Sequence, residues 1–247
     1  MGQRGSSALG LWYRGRAVSP PNSGRCALQS PRFGIFGVLD LQKIVVFDLG
    51  HVVLPVAHHW QEAANEAGVA CRPGSDPLDR CPGFLAYQRG DIPAQEYLSL
   101  LAEFLQLQNL EGAKEVHGGI LQHEFDGMPQ LLDELEKAGV ATACLSNTNE
   151  LHWERILDSN RYPCIARLGT KLASHELRLE KPDPAIYLRA EHLLNATADQ
   201  IIFFDDNQAN VEAATALGWT AQLIPHGAHP PEEMARFLIK LGVLSSG

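Results

Sequence analysis

Short apolar runs that end on polar side chains recur along residues 43–224. Three of them, at 43–47, 140–145 and 201–204, lack the strict apolar and polar alternation of a half-exposed strand. Uninterrupted runs of this length predict strands that are buried on both faces of a parallel sheet. With a further strand predicted at 220–224, the pattern predicts an open α/β core with helices on both faces of the sheet.

Helical periodicity accounts for most of the sequence between the later strands. Helices are predicted at 128–137, 151–157, 185–194 and 209–217. Residues 158–180 show no clear periodicity, and we predict a short strand near Ile165 within them. Strands and helices that alternate in this way are typical of βα units around a parallel sheet.

A block of helical patterns at 57–125 interrupts this alternation directly after the first strand. The patterns cover 59–68, 84–88, 94–107 and 111–125. In the third pattern the apolar positions recur at i, i+3 and i+4, so that helix should bury one face. These positions are Tyr97, Leu98, Leu101, Phe104 and Leu105. The block therefore predicts a small helical insertion.

Polar residues follow three of the predicted strands at the point where each strand ends. Asp48 follows the first strand, Ser146 and Asn147 follow the second, and the pair Asp205 and Asp206 follows the third. Ligands of open α/β sheets collect beyond the carboxyl ends of the strands, so we expect these side chains to converge. Carboxylates suit a hard divalent cation, so the convergence predicts a metal site.

Four ordered motifs in this sequence resemble those of the haloacid dehalogenase (HAD) superfamily phosphatases. They are Phe47-Asp48-Leu49-Gly50, Leu145-Ser146-Asn147-Thr148-Asn149, Lys181-Pro182, and Phe203-Phe204-Asp205-Asp206-Asn207 with Asn210. Within the superfamily, the four motifs are most similar to those of the subgroup that contains bacterial α-D-glucose-1-phosphate phosphatase. The resemblance implies a HAD-like Rossmannoid sheet made by 40–56 and 126–247, with 57–125 as a small helical cap.

The resemblance also implies a role for each motif residue. Asp48 is implied as the nucleophile that forms an aspartyl-phosphate, and the Gly50 carbonyl as a ligand of Mg²⁺ beside Asp48 and Asp206. Lys181 supplies a positive charge to the phosphate. Ser146 Oγ and the Asn147 N–H are implied as hydrogen-bond donors to phosphate oxygens. Asp205 and Asn210 are implied to hold Asp206 in place.

Position 50 departs from the common pattern of the superfamily, in which a second Asp follows the nucleophile by two residues and acts as acid and base. This chain carries Gly50, as the glucose-1-phosphatase-like subgroup does, and His51 directly after it. An imidazole could transfer the proton instead. The alternative is that His51 packs or hydrogen-bonds under the cap. Arg89 has two interpretations as well, a contact with substrate or a surface salt bridge.

The function predicted from these motifs is a Mg²⁺-dependent phosphatase for a small phosphorylated metabolite, with sugar phosphates as candidates. Two alternatives stay open. One is a dehalogenase-type hydrolase of 2-haloacids, which the paired acids Asp205 and Asp206 disfavour by repelling a haloacid carboxylate. The other is a phosphometabolite-binding protein with weak or no catalysis, because Gly50 replaces the second Asp of the first motif.

Charge separates residues 1–39 from the rest of the chain. This segment has five arginines and no acid, so removing its charge from the overall −9 leaves −14 on residues 40–247. We predict a disordered extension; transit-peptide and myristoylation patterns also fit it formally.

The acidic remainder disfavours nucleic acid, and no apolar run is long enough to span a membrane. Five cysteines without a C-x-x-C pair favour a reducing, cytoplasmic location, and the protein is expected to be a monomer or homodimer.

Overall fold

Five parallel strands form the single sheet of the computed structural model, which describes residues 42–245. The strands are β1 Ile44–Phe47, β2 Ala141–Ser146, β3 Thr170–Ala173, β4 Ile201–Asp205 and β5 Thr220–Leu223. Their order across the sheet is β3-β2-β1-β4-β5. The α/β class with a parallel sheet is therefore confirmed. The extension predicted at 1–39 lies outside the described residues.

Eleven α-helices surround the sheet or precede β2 within the described residues. They are α1 Trp60–Ala67, α2 Phe84–Gln88, α3 Ala94–Leu105, α4 Leu110–Gly118, α5 Met128–Lys137, α6 Glu150–Ile156, α7 Pro163–Arg167, α8 Ser174–Leu177, α9 Pro184–Leu194, α10 Gln208–Ala216 and α11 Pro230–Lys240. In this part of the chain, no helix has both the length and the apolar character needed to cross a membrane.

Side chains on the two faces of the central strands belong to two separate apolar clusters. Val45 and Phe47 of β1 pack with residues of α5 and α11 on one face. Val46 of β1 and Phe203 of β4 pack with residues of α9 and α10 on the other. Successive side chains of a strand point to opposite faces, so a strand covered by helices on both sides must be apolar throughout.

The register of the central strands aligns their carboxyl ends. Phe47 pairs with Cys144 of β2 and with Phe204 of β4, so the next residue of each strand reaches the same edge of the sheet. The backbone N–H of Asp48 donates a hydrogen bond to the Phe204 carbonyl oxygen at 2.8 Å. This bond continues the β1–β4 pairing one residue further and brings Asp48 alongside Asp205.

Helices α1 to α4 surround a further apolar cluster. Trp60, Phe84, Tyr87, Tyr97 and Leu101 are buried in it. The rings of Tyr87 and Tyr97 stack with their centroids 4.6 Å apart. We call residues 60–118, which carry these four helices, the helical insertion. Leu151 of α6 also belongs to this cluster, and the division of the chain at 57 and 125 stays a prediction.

The prediction of a strand near Ile165 was wrong, because residues 163–167 form α7. The strand of this region is β3, which begins five residues after Ile165. Pro163 suits the first turn of a helix. The Glu124 carboxylate accepts hydrogen bonds from the backbone N–H groups of Cys164 and Ile165, at 3.0 and 2.8 Å. This contact comes from a residue 40 positions away, so a local pattern could not reveal it.

Two further differences concern helices. The helix predicted at 111–125 ends at Gly118, after which the chain turns back toward Val56, which pairs with Leu121. The C-terminal helix α11 was not predicted; it begins on Pro230 and buries Met234 and Leu238, which lie four residues apart. Prolines at a helix start are well tolerated, and i, i+4 spacing places two side chains on one face.

Candidate active site

Asp48 stands at the centre of the polar edge of the sheet, immediately after β1. Its side chain is largely buried, and Oδ1 accepts a hydrogen bond from Lys181 Nζ at 2.7 Å. Burial raises the pKa of Asp48 to about 7, with Lys181 lowering it and Asp205 raising it. The carboxylate is thus held in one orientation by a cation.

Lys181 bridges the two strands that deliver the acids. Its Nζ atom lies 2.7 Å from Asp48 Oδ1 and 2.7 Å from Asp205 Oδ2, and its side chain is 1% exposed. The main chain of Lys181 is fixed by Asn147, whose amide Nδ2 donates to the Lys181 carbonyl at 2.8 Å and whose Oδ1 accepts from the Lys181 N–H at 2.9 Å. Burial opposes the charge, but the two carboxylates outweigh it and raise the pKa of Lys181.

The two acids after β4 have different surroundings. Asp205 is fully buried and accepts from Lys181, from the Asn207 N–H at 2.8 Å and from Asn210 Nδ2 at 3.0 and 3.1 Å. Asp206 is half-buried, and no side chain within residues 42–245 donates a hydrogen bond to it. Asp205 therefore has its partners in the protein, whereas Asp206 has oxygen atoms left for a ligand.

The donor set at this edge fits a hard divalent cation such as Mg²⁺. One oxygen from each of Asp48, Asp205 and Asp206 lies within 4.8 Å of the other two. Burial raises the pKa of Asp206, as does the negative charge of Asp205. The Gly50 carbonyl accepts no hydrogen bond from the described residues. Closely spaced carboxylates with a free carbonyl are the oxygen ligands that Mg²⁺ prefers.

Ser146 and Asn147 arrive at the same edge from β2. Ser146 is the buried last residue of that strand, and Asn147 is tied to Lys181 as described above. The next residue is fixed by Ser174, whose Oγ accepts from the Thr148 N–H at 2.9 Å and donates to the Thr148 carbonyl at 3.1 Å. Ser174 was missed in the sequence analysis, because it follows the strand that was misplaced.

A model of the haloacid dehalogenase-like hydrolase family matches residues 42–218, more than half of the chain and the whole of this edge. The chain belongs to this family. The assignment made from the four motifs is thereby confirmed at the level of the family, and the protein is a HAD-like hydrolase. Its placement in the glucose-1-phosphatase-like subgroup stays a prediction.

Two characterised relatives of this HAD-like hydrolase bear different names. A phosphorylated carbohydrates phosphatase of Thermotoga maritima is 25% identical over 189 residues, which cover 71% of this chain and 82% of the relative. A (S)-2-haloacid dehalogenase 4A of Burkholderia cepacia is 28% identical over 103 residues, which cover 42% of this chain and 44% of the relative.

Solved structures show the same fold. A HAD family enzyme of Bacteroides thetaiotaomicron, an Asp-to-Ala mutant crystallised with magnesium and inorganic phosphate, superposes with a TM-score of 0.61. The match covers 76% of this chain and 96% of the other, at 19% identity. At 19% identity, this structural similarity is evidence for the fold of the HAD-like hydrolase alone.

Position 50 of this HAD-like hydrolase has little room for a side chain. A Cβ atom built on Gly50 would lie 3.2 Å from Val56 Cγ2 and 3.9 Å from Asp48 Oδ2. The first contact is closer than ordinary van der Waals packing, so Val56 would have to move. A side chain at position 50 would therefore be accommodated only with a shift of the Val56 side chain.

His51 adopts a left-handed backbone conformation, with φ at 56°. Its ring stacks on His58 with centroids 5.2 Å apart and meets His226 edge-on at 5.7 Å. Burial lowers the pKa of His51, while the negative charge of Asp206 raises it. The structure thus places His51 beside Asp206 and in contact with other imidazoles, and both of its predicted roles stay open. His226 carried no prediction from the sequence.

A cleft of about 1020 Å³ opens between the helical insertion and the core, and its lining residues do not include Asp48, Lys181 or Asp206. One wall is the turn between α2 and α3, and the other is formed by the segments that follow β2 and β3, including Thr148 and Glu180. Arg89 lies on the first wall, where its guanidinium pairs with Asp91 at 2.9 Å and its side chain is 59% exposed. Of its two predicted roles, the surface salt bridge is present.

Proposed function

We propose that this chain is a Mg²⁺-dependent phosphatase of small phosphorylated metabolites that acts through an aspartyl-phosphate on Asp48. One observation carries the proposal: Lys181 is hydrogen-bonded to both Asp48 and Asp205, within a group of three carboxylates whose oxygens lie within 4.8 Å of one another. A buried cation beside a cation-binding acid cluster suits a transferring phosphoryl group. The phosphatase name of the T. maritima relative supports the same class of substrate.

Asp48 is the nucleophile in this proposal. Lys181 donates to Oδ1 and holds the carboxylate in one orientation, so that one oxygen can attack phosphorus while the other faces the metal. Attack forms the Asp48–phosphorus bond and breaks the ester bond, so the leaving alkoxide departs and takes up a proton. Water then attacks phosphorus, which releases orthophosphate and restores the carboxylate.

Asp48, Asp206 and the Gly50 carbonyl are the residues that would hold Mg²⁺. The bound ion supplies positive charge that offsets the acids and the phosphate dianion. The protein itself gives formal charges of −3 from three aspartates and +1 from Lys181. That net negative charge repels a phosphate ester, so the proposal requires a cation for substrate binding.

The other residues position these groups. Asp205 and Asn210 form a buried hydrogen-bonded pair behind Asp206, which fixes the turn that carries it. Ser146 Oγ and the Asn147 N–H are the proposed donors to phosphate oxygens, where charge develops during transfer. A proton donor for the leaving group is the one role to which we assign no residue.

Sugar phosphates are the substrates we propose to test first. The name of the T. maritima relative refers to phosphorylated carbohydrates. The dehalogenase reaction is the second candidate, favoured by the B. cepacia relative. It conflicts with the acid cluster, because three carboxylates disfavour a carboxylate-bearing haloacid.

The test is phosphate release from sugar phosphates, nucleotides and p-nitrophenyl phosphate, with Mg²⁺ and with excess EDTA. The proposal predicts release that requires Mg²⁺. Chloride release from 2-chloropropionate is measured in parallel, and chloride release that persists in EDTA would establish the dehalogenase reaction instead. Mg²⁺-dependent binding of a phosphate ester, with no product after long incubation, would establish the binding-protein alternative.

A further inference from the structure

The side chain of Asn149 is the junction between the helical insertion and the sheet edge. Its Oδ1 caps α6 by accepting from the His152 N–H at 3.0 Å, and it faces His117 Nε2 of α4 at 3.4 Å. Its Nδ2 donates to Gln88 Oε1 of α2 at 2.8 Å and faces His152 Nδ1 at 3.2 Å. One buried amide thus contacts two helices of the insertion and one helix of the core.

Two buried histidines complete this junction. The rings of His117 and His152 stack with centroids 4.1 Å apart. His152 Nε2 lies 3.1 Å from the His117 carbonyl oxygen, so this nitrogen must carry the proton and donate. His117 Nε2 faces the Asn149 oxygen, so it also carries a proton, and its Nδ1 accepts from the Tyr97 hydroxyl at 2.9 Å.

Only one arrangement satisfies every donor and acceptor of this group. If the Asn149 amide turned over, its NH₂ would face the His152 N–H and the His117 Nε2–H, so donors would oppose donors. A second proton on His152 would oppose the Asn149 NH₂ in the same way. A buried polar network that is satisfied in one way holds its members in one relative position.

The junction is adjacent to the proposed phosphate site along the chain. Asn147, two residues before Asn149, holds the main chain of Lys181, and Lys181 holds Asp48. On the other side, Gln88 and Asn149 both line the cleft between the helical insertion and the core. A shift of α2 against Asn149 would therefore change both the cleft and the segment that carries the phosphate donors.

We propose that Asn149 is a positioning residue: its amide locks α2 and α4 of the helical insertion onto the end of β2 and so sets the shape of the cleft between the insertion and the core, which we take as the place of the substrate's leaving group. The lock is a property of the fold, and its kinetic consequence rests on the proposed phosphatase function.

The test compares Asn149→Ser with Asn109→Ser. Serine is a good N-cap residue, so Asn149→Ser keeps the cap of α6 but removes the contacts to Gln88, His117 and His152 Nδ1. Asn109 is the matched control, because it caps α4 by accepting from the Gly112 N–H at 2.8 Å and is exposed. Gln88→Met is a milder variant that removes one arm of the junction alone.

Amide hydrogen exchange is the first measurement, because it does not depend on catalysis. We expect exchange in α2 and α4 to accelerate about tenfold or more in Asn149→Ser, with β1 and β4 unchanged, and Gln88→Met to show a smaller effect in α2. Asn109→Ser should leave the exchange rate of the α2 amides as it is in the parent. Exchange that stays at the parental rate in α2 and α4, or that rises equally in helices and strands, would overturn the proposal.

Steady-state kinetics then separate positioning from a loss of folded protein. With a phosphate ester that the parent hydrolyses, Asn149→Ser should raise KM about fivefold or more and change kcat less than about twofold, which indicates altered binding. A fall in kcat at constant KM would contradict this role. If the parent hydrolyses no phosphate ester, the phosphatase proposal fails, and the exchange result still decides the lock.

Discussion

Lys181 Nζ lies 2.7 Å from Asp48 Oδ1, although the two residues are 133 positions apart in the sequence. The same nitrogen is 2.7 Å from Asp205 Oδ2; the side chains of Lys181 and Asp205 are almost inaccessible to solvent, and that of Asp48 is largely buried. The carboxylates of Asp48 and Asp205 have oxygens within 4.8 Å of each other, and two buried carboxylates so close repel each other unless a cation lies between them. Lys181 is therefore both a structural counterion and the protein's own positive charge at the proposed phosphate site.

Replacing Lys181 by methionine should weaken both stability and catalysis. The change leaves two buried carboxylates unpaired, which costs about 3–5 kcal/mol of unfolding free energy. Phosphate release should fall by at least about 10²-fold, the usual effect of losing one group that stabilises developing charge. Urea unfolding and phosphate release measure the two effects. Lys43→Met is the control, since Lys43 is exposed and, within residues 42–245, its side chain bonds the Asp199 carbonyl alone; an equal effect there would contradict this account.

Asp206→Asn should separate metal binding from folding. In EDTA the variant should be more stable than the parent by about 1 kcal/mol, because one of three clustered negative charges is gone. Mg²⁺ at about ten times its Kd should stabilise the parent by about 1.4 kcal/mol and the variant far less. Thermal unfolding with Mg²⁺ and with EDTA measures both. Equal stabilisation of the two proteins by Mg²⁺ would remove Asp206 from the metal site.

His51 offers a test of backbone strain and of proton transfer together. Its φ of 56° favours glycine, so His51→Gly should be about 1 kcal/mol more stable than His51→Ala, both lacking the imidazole. Because the ring stacks on His58, we expect both variants to keep kcat within about tenfold of the parent. A loss of about 10²-fold or more in both variants would instead assign proton transfer to His51.

The buried histidine pair should make stability depend on pH. Burial lowers the pKa of His152 to about 4 and that of His117 well below 6.5, and the nearby Arg155 lowers both. The other titratable groups facing the pair are Tyr97 and Tyr87, which carry no charge in this pH range. Folding thus requires neutral imidazoles, while the unfolded chain binds protons below pH 6.5. The contribution of the neutral histidine pair to the free energy of unfolding is complete above pH 6.5 and is lost as pH falls toward 4.

Each histidine contributes a slope of up to about 1.4 kcal/mol per pH unit in this window. The raised pKa of Asp48 acts in the opposite direction, so the informative quantity is the difference between parent and variant. Urea unfolding from pH 7.5 to 5 should show a flatter profile for His152→Gln than for the parent. His123→Gln, at an exposed position, should match the parent; parallel profiles for all three proteins would contradict the predicted pH dependence.

The sheet and the residues at its edge were accessible from the sequence because they depend on local signals. Strands β1 and β4 are buried on both faces, so their apolar runs are unmistakable, and the acids follow directly. Strand β3 was misplaced because it is short and begins with Thr170 and Lys171, so it lacks an apolar run. The helix that took its predicted place depends on Glu124, which is remote in sequence.

The Asn149 junction could not have been derived in the same way. It joins Gln88, His117 and His152, which come from three different helices, and none of them belongs to a recognisable motif. The position of Asn149 at the end of a motif segment was visible, but its partners follow from the packing of the helical insertion. The same reason kept the stacking of His51 on His58 and His226 out of reach.

The most direct test of the central claim is phosphate release by the parent and by Asp48→Asn, assayed with the best ester of the panel in Mg²⁺ and in EDTA. The account predicts Mg²⁺-dependent release by the parent and a loss of more than about 10³-fold in the variant, with the folded state retained. An Asp48→Asn protein as active as the parent would contradict the assignment of Asp48 as the nucleophile.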